Sequence, residues 1–376
     1  MRRDEKRRKI LIVYASAGVG HKKAAESIYE VLKENNKDDE IYLEDILNYT
    51  SRLFRFLYSD VYIFLIKYLK DLWGFLFYLS NSSPIFESLK ALAEVSNTRR
   101  FQCFLIKEGF DVVISTHFSS SYIVGYLKKT KRIKTKLLTV VTDYRAHSVW
   151  FVKESDYFIV ADDRTKIDLI KGNINEDKIK ILGIPVGMEF STCKDKDLIR
   201  DKLGIKSKKL TIMIMGGGAG IGPYEYLLRR FLPYKDMVNL LFICGYDRRL
   251  YNRLTFICKE IDAPFKVYGY VNNVDELMEI SDIIVTKAGG ITLTESLVKR
   301  LPMLVISPIP GQEGLNSKLM EELGVMKVVN NKKEAYDFLK GLIDNPGILL
   351  RMRNNISKIV KPEAVKEVAD FARRVI

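Results

Sequence analysis

Cysteine is scarce in this chain, four among 376 residues, at positions 103, 193, 244 and 258 and never in C-x-x-C spacing. That excludes a disulfide framework and a zinc knuckle and fits a reducing compartment. Histidine is scarcer still, so any imidazole chemistry falls to His21, His117 or His147. No apolar run reaches the roughly 20 residues of a spanning helix. The basic start "MRRDEKRRKILIVYAS" leads into a glycine turn rather than a cleavage site, so it reads as a first strand and not as a signal peptide. Although the formal net charge is +14, no helix-turn-helix, zinc-finger, RRM or KH signature accompanies it, and a nucleic-acid partner is not expected. The stretch "SAGVGHKKAA" has neither the G-K-[ST] of a P-loop nor the third glycine of a dinucleotide fingerprint.

What the chain does have is alternation. Strand-like runs "KILIVYAS", "DVVIST", "KLLTVVTD", "YFIVAD" and "IKILGIP" alternate with helical or turn segments. The second half repeats the scheme with "KLTIMIMGGG", "VNLLFICG", "FKVYGYV", "DIIVTKAGG" and "LPMLVISPIPG". This predicts an α/β protein of two Rossmann-like domains with parallel sheets, facing one another across a cleft. The expected divisions are a first domain over 1–186, a second over 187–355, and a C-terminal helix over 356–376.

Ligands of open parallel sheets bind beyond the carboxyl ends of the strands. All three histidines follow strand runs there, which marks them as candidate general bases. Two glycine loops in the second half each join a strand to a helix. One carries Gly217 and Gly218; the other carries Lys287, Gly289, Gly290 and Thr292. Exposed N–H groups at such helix starts suit a pyrophosphate. Glu295, one turn on, is placed to accept from ribose hydroxyls, while Gln312, Glu313 and Asn316 after the next strand suit sugar hydroxyls.

The elements "SAGVGHKKAA", "VTDYRAHSVW", "ILGIPV", "VYGYVNNVDEL", "TKAGGITLTES" and "PIPGQEGLNS" together resemble the diacylglycerol glycosyltransferases related to monogalactosyldiacylglycerol synthase, and the processive diacylglycerol glucosyltransferases in particular. The resemblance runs over almost the whole chain. It implies the GT-B fold of glycosyltransferase family 28, in which the first domain binds acceptor and membrane, the second binds the donor, and the C-terminal helix crosses back to the first domain. It also implies inverting transfer of glucose or galactose from a UDP-sugar to diacylglycerol. His21 would be the base, beside Gly20, with Asp143 as its partner or a second base. His117, His147 and Trp150 would lie on the acceptor side, although Phe118 stands where relatives often have proline. The backbone at Tyr270 and Val271 would meet the uracil, Glu295 the ribose, Gly289, Gly290 and Thr292 the diphosphate, and Gln312 and Glu313 the donor sugar. Other GT-B enzymes (a lipid-linked N-acetylglucosaminyltransferase or a UDP-sugar epimerase) and a non-catalytic UDP-sugar sensor stay open as alternatives.

No D-x-D cation site is evident, so neither a catalytic metal nor another cofactor is expected. The partners expected are UDP-sugar, diacylglycerol and anionic membrane lipids. The segment starting at Arg52, "RLFRFLYSDVYIFLIKYLKDLWGFLFYLSNSSPIF", is rich in Phe, Tyr and Leu with lysines between. It predicts a helix lying in the bilayer interface, and so a peripheral enzyme on the cytoplasmic face of the cell membrane. The basic block Lys128, Lys129, Lys131, Arg132, Lys134 and Lys136 is expected to face anionic headgroups.

Overall fold

The computed structural model describes residues 7–16, 18–35, 38–56, 61, 69–82, 93–205, 209–217, 220 and 222–376. The chain divides into two compact units. The first comprises Met1–Met188 with Ile309–Leu315 and Glu363–Ile376; the second comprises Glu189–Pro308 with Asn316–Pro362.

The first unit is built on a sheet of β1 (Lys9–Tyr14), β2 (Glu40–Asp45), β3 (Val112–Ser115), β4 (Lys136–Val140), β5 (Tyr157–Ile159) and β6 (Ile179–Lys180). Every pairing is parallel, in the order β2-β1-β3-β4-β5-β6. The unbroken apolar run of β1 follows from burial on both faces. Ile10 and Ile12 pack with Ala25, Ile28 and Leu32 of α1 (Val19–Asn35) and with Val365, Val368 and Ala372 of the C-terminal helix Ala364–Arg374. Leu11 and Val13 face the opposite layer, meeting residues of α3 (Arg99–Glu108) and α4 (Phe118–Lys129). Helices α2 (Lys70–Ser82) and α5 (Asp163–Lys171) complete the elements used below.

The second unit repeats the plan with β7 (Leu210–Met215), β8 (Val238–Ile243), β9 (Lys266–Tyr268), β10 (Ile283–Thr286), β11 (Met303–Ile306) and β12 (Met326–Val329). Its order is β12-β11-β10-β7-β8-β9, again all parallel. Helices α6 (Tyr224–Phe231), α7 (Arg248–Glu260), α8 (Gly290–Val298) and α9 (Lys332–Asp344) connect or flank these strands. Leu227, Leu228, Phe231, Leu254, Leu339 and Leu342 from three of them cover Ile212, Ile214, Leu240 and Phe242 of the sheet.

Strand order fixes where each unit can hold a ligand. Crossovers leave β1 and β3 in opposite directions, and likewise β7 and β10, which opens a crevice at the carboxyl end of each pair. The residues that follow these four strands are those around His21, Thr116–His117, Gly216–Gly217 and Lys287–Gly289.

The basic block is described in full and the aromatic segment in part. Lys128 and Lys136 of the basic block both ion-pair with Asp156, and Arg132 donates to Gln102 Oε1 at 3.3 Å, so the block's free charge is smaller than its composition implies. Within the aromatic segment, 57–60, 62–68 and 83–86 lie outside the described residues. The described part, α2, is two-faced: Leu72, Phe75, Tyr78 and Leu79 are exposed, while Gly74 and Phe77 turn inward. An ideal Cβ on Gly74 would lie 2.7 Å from Pro310 Cβ, and the Phe77 ring packs on His147, centroids 4.5 Å apart. Among the described residues, no helix is long and apolar enough to cross a membrane.

Candidate active site

In the first unit, His21 stands in the opening turn of α1, next to the β1–β3 crevice. Gly20 is already helical, and an ideal Cβ on Gly18 would meet open space. The imidazole Nδ1 lies 2.8 Å from the Thr116 carbonyl oxygen and 2.9 Å from Thr142 Oγ1. A carbonyl only accepts, so Nδ1 carries the proton and Nε2 presents its lone pair. Thr116 returns the contact by donating from Oγ1 to the His21 carbonyl at 2.9 Å. The ring is therefore held from two strand ends, β3 and β4. Burial brings its pKa from the ordinary 6.5 down to about 4, outweighing the Thr116 hydrogen bond, which favours the charged form. The imidazole is neutral at physiological pH.

The other two histidines are built differently. His117 is 2% exposed, and its Nδ1 accepts from Ser119 N at 3.1 Å, capping α4. His147 is 5% exposed; its Nδ1 accepts from Val149 N at 3.2 Å and its Nε2 donates to the Phe77 carbonyl at 3.1 Å. Each imidazole does the work of an Asn or Asp at an N-cap. His117 still touches the His21 ring edge-on, centroids 4.6 Å apart. Trp150, expected on the acceptor side, is instead 2% exposed and part of a core cluster, its ring 6.2 Å from that of His21. Asp143 is half-buried, directly after Thr142.

Thr116 and Thr142, which hold the His21 ring, were not singled out from the sequence. The available signal was their position just past β3 and β4 in the elements that supply His117 and Asp143.

In the second unit, paired residues Met215 and Thr286 end β7 and β10, and Thr286 Oγ1 donates to the Met215 carbonyl at 2.8 Å. Both glycine loops start one residue later. Gly217 has φ +70° and Gly220 φ +60°, left-handed values that suit glycine. Gly218 lies outside the described residues. The buried Tyr224 hydroxyl anchors the first loop: it accepts from Gly216 N at 2.7 Å and donates to the Ile243 carbonyl at 3.0 Å. Replacing Tyr224 by Phe leaves a buried N–H and a carbonyl without that partner, costing about 1–3 kcal/mol. Urea unfolding should show this loss.

The second loop runs through half-buried Lys287 to Gly289, the N-cap of α8, which makes no side-chain capping bond. N–H groups at the start of a helix suit an anion. Thr292 and Glu295 are both half-buried in α8. Asn316 is fully buried and its Nδ2 donates to the Ala288 carbonyl at 3.0 Å, which braces this loop rather than presenting that amide to a sugar. Gln312 and Glu313 belong to the first unit, where Gln312 Nε2 donates to the Arg145 carbonyl at 2.7 Å and Arg145 holds Asp168 through two bonds. Tyr270 is exposed after β9, with Val271 half-buried beside it. Tyr246, which sequence reasoning passed over, stacks on Tyr270. Among the described residues, no group of three or more His, Cys, Asp or Glu side chains is placed to hold a metal ion.

The first unit holds a fixed imidazole and the second a pair of glycine loops, and comparison with known proteins gives these residues a context. Residues 21–186 match the family described as monogalactosyldiacylglycerol (MGDG) synthase, and residues 211–361 match the C-terminal domain of glycosyltransferase family 28. The chain is a glycosyltransferase, similar to MGDG synthase over its first half and to family 28 over its second. Curated relatives of this glycosyltransferase include a processive diacylglycerol beta-glucosyltransferase of Bacillus cereus strain AH187, 27% identical over 96% of this chain and 92% of the relative. An enzyme of the same description from Bacillus cytotoxicus matches to the same extent. Among solved structures, a UDP complex of S. aureus MnaA superposes with TM-score 0.62 at 16% identity, covering 96% of this chain and 94% of that one. Acinetobacter baumannii MurG superposes with TM-score 0.59 at 14% identity, covering 98% and 99%. These likenesses show the GT-B fold.

Proposed function

We propose that this glycosyltransferase moves a hexose, glucose or galactose, from its UDP donor to diacylglycerol with inversion at the anomeric carbon. The observation that carries the reading is the tautomer of His21: Nδ1–H is committed to the Thr116 carbonyl, leaving a neutral Nε2 to accept a proton. In the proposed step the acceptor hydroxyl attacks the anomeric carbon while Nε2 takes its proton. The bond to the UDP oxygen breaks, and the leaving diphosphate carries away the electron pair. The α8 N-terminus, with Lys287 just before it, offsets the growing negative charge. No obligatory metal or other cofactor is assigned to this step. Glu295 is assigned to the ribose and Gln312 with Glu313 to the donor sugar. The diacylglycerol acceptor is supported by what the Bacillus relatives are described as doing, and a UDP-sugar donor by the UDP and UDP-glucose complexes among the structural neighbours.

The test is direct. Purified protein, diacylglycerol vesicles and either UDP-glucose or UDP-galactose should give a glycolipid of inverted, β linkage, with EDTA leaving the rate unchanged. No glycolipid with either donor sinks the proposal.

A lipid acceptor requires the enzyme to work at a bilayer, and the outward face of α2 is assigned to that contact. Leu72 is 45% exposed, Phe75 64% and Leu79 37%, at helical spacings of three and four, so one stripe can enter the headgroup boundary. Replacing all three by Ser should weaken vesicle binding by about tenfold or more, since each buried apolar side chain contributes on the order of 1.5–3 kcal/mol. UDP affinity should not change. Flotation with anionic vesicles reads the first quantity and calorimetry the second.

A further inference from the structure

Glycine is the poorest helix former after proline, yet α2 carries Gly74 in its second turn. The position is buried, and the reason is a close approach. An ideal Cβ there would lie 2.7 Å from Pro310 Cβ and 3.5 Å from its Cγ. Neither atom is the end of a flexible chain, so a larger residue at 74 must displace the helix or the proline. Phe77, on the same face of α2, covers the next residue of that segment. Gly311 has φ +103°, and a Cβ on it would come within 3.0 Å of the Phe77 ring. Both the backbone angle and the ring against its Cα require glycine there.

A third segment, 145–147 beyond β4, closes the arrangement. His147 Nε2 donates to the Phe77 carbonyl at 3.1 Å, and its ring packs on the Phe77 ring. Two residues earlier, the Arg145 carbonyl accepts from Gln312 Nε2 at 2.7 Å, which fixes the orientation of that amide. Asp168 in turn holds the Arg145 guanidinium and Ala146 N. Segments far apart in sequence therefore fix one another, and all of them belong to the first unit. The Pro310–Gly311 turn runs straight into Gln312 and Glu313, which open the helix Gln312–Glu322. Where the turn sits decides where those two side chains sit.

We propose that Gly74 and Phe77 are positioning residues for the donor sugar, acting through the Pro310–Gly311 turn on Gln312 and Glu313. This rests on the reading of Gln312 and Glu313 as the donor-sugar contacts. Helix α2 then has a separate task on each face. The outward stripe of Leu72, Phe75 and Leu79 is assigned to the bilayer, and the inward pair to the sugar end of the donor. The nucleotide end is not involved, since the glycine loops and Glu295 belong to the second unit.

Titration calorimetry on the full chain tests this by comparing UDP with UDP-glucose and UDP-galactose. Gly74→Ala should weaken the preferred UDP-hexose by about three- to tenfold, the usual contribution of one neutral hydrogen bond, and leave UDP at its wild-type affinity. Alanine is the better helix former, so a role confined to holding α2 together predicts no loss at all. Phe77→Leu keeps apolar bulk but takes the flat ring off Gly311, and should act in the same direction. Gln312→Ala combined with Gly74→Ala should lose less than the two single losses multiplied, because the glycine acts through the glutamine. Unchanged UDP-hexose affinity in either α2 variant overturns the proposal, and so does an equal weakening of UDP. If Gln312→Ala and Glu313→Ala both leave UDP-hexose binding untouched, the donor-sugar reading fails instead.

Discussion

His21→Ala should lower kcat for glycolipid formation by about 10²–10⁴, the usual contribution of a positioned general base, while UDP affinity stays at the wild-type value. The split follows from where the residue is held. The imidazole hangs from Thr116 and Thr142 in the first unit, whereas the glycine loops and their anchor Tyr224 belong to the second. Equal losses in turnover and UDP binding would reassign His21 to binding. Thr142→Val is the companion variant. It removes a hydroxyl partner but leaves the Thr116 carbonyl, so the correct tautomer survives and the rate should fall only a few-fold.

The pH profile provides a second check on the same group. With a folded-state pKa of about 4 against an ordinary 6.5, His21 stays neutral throughout the weakly acidic range, as the proposed base must. The acid limb of kcat/KM should therefore lie near pH 4, and a limb near 6.5 would show that the imidazole is better solvated than its burial implies. The linked effect on stability has a definite sign. The unfolded chain binds the proton first as pH falls, so this group's contribution is intact above pH 6.5 and is lost progressively between 6.5 and 4. His21→Ala should remove that part of the slope in urea-unfolding free energy against pH.

The parts of the fold legible in the sequence were those set by local pattern. Runs such as "KILIVY" are apolar at every position because both faces of a central parallel strand are covered, and glycines before a helix mark a turn whatever surrounds them. Strand order is not a local property. That His21 and Thr116 meet depends on β1 and β3 becoming neighbours although β2 lies between them in the chain. The same gap explains Thr116 and Thr142, whose role comes from contacts with His21 at separations of 95 and 121 residues. It explains the basic block too, since Asp156 is 28 residues from Lys128. His117 and His147 show a different limit. A histidine after a strand and before a helix has the same sequence signature whether it is a base or an N-cap acceptor, and only the bonds made by its two nitrogens separate the cases. The stacking of Tyr246 on Tyr270 is likewise set by the register of two strands and not by local pattern.

Trp150→Ala should cost about 3–5 kcal/mol of unfolding free energy, the usual range for deleting a large buried aromatic. A domain commonly holds only about 5–15 kcal/mol in reserve. The side chain is among the largest fully buried ones, packed with Val141, Phe158, Val160, Leu169, Ile174 and Ile179, and Phe118 meets it edge-on with centroids 5.8 Å apart. These residues come from β5, α5, β6 and the ends of β4 and α4, so the cavity would loosen the layer behind His21 as well as the core. Urea unfolding measures the stability loss, and vesicle assays on the folded fraction measure what remains of turnover. Trp150→Phe separates support from substrate contact. It refills most of the cavity, so a supporting role predicts that most of the stability returns together with near-normal kcat and KM for the acceptor. Restored stability with a strongly raised acceptor KM would instead place the indole in contact with the lipid, against its 2% exposure.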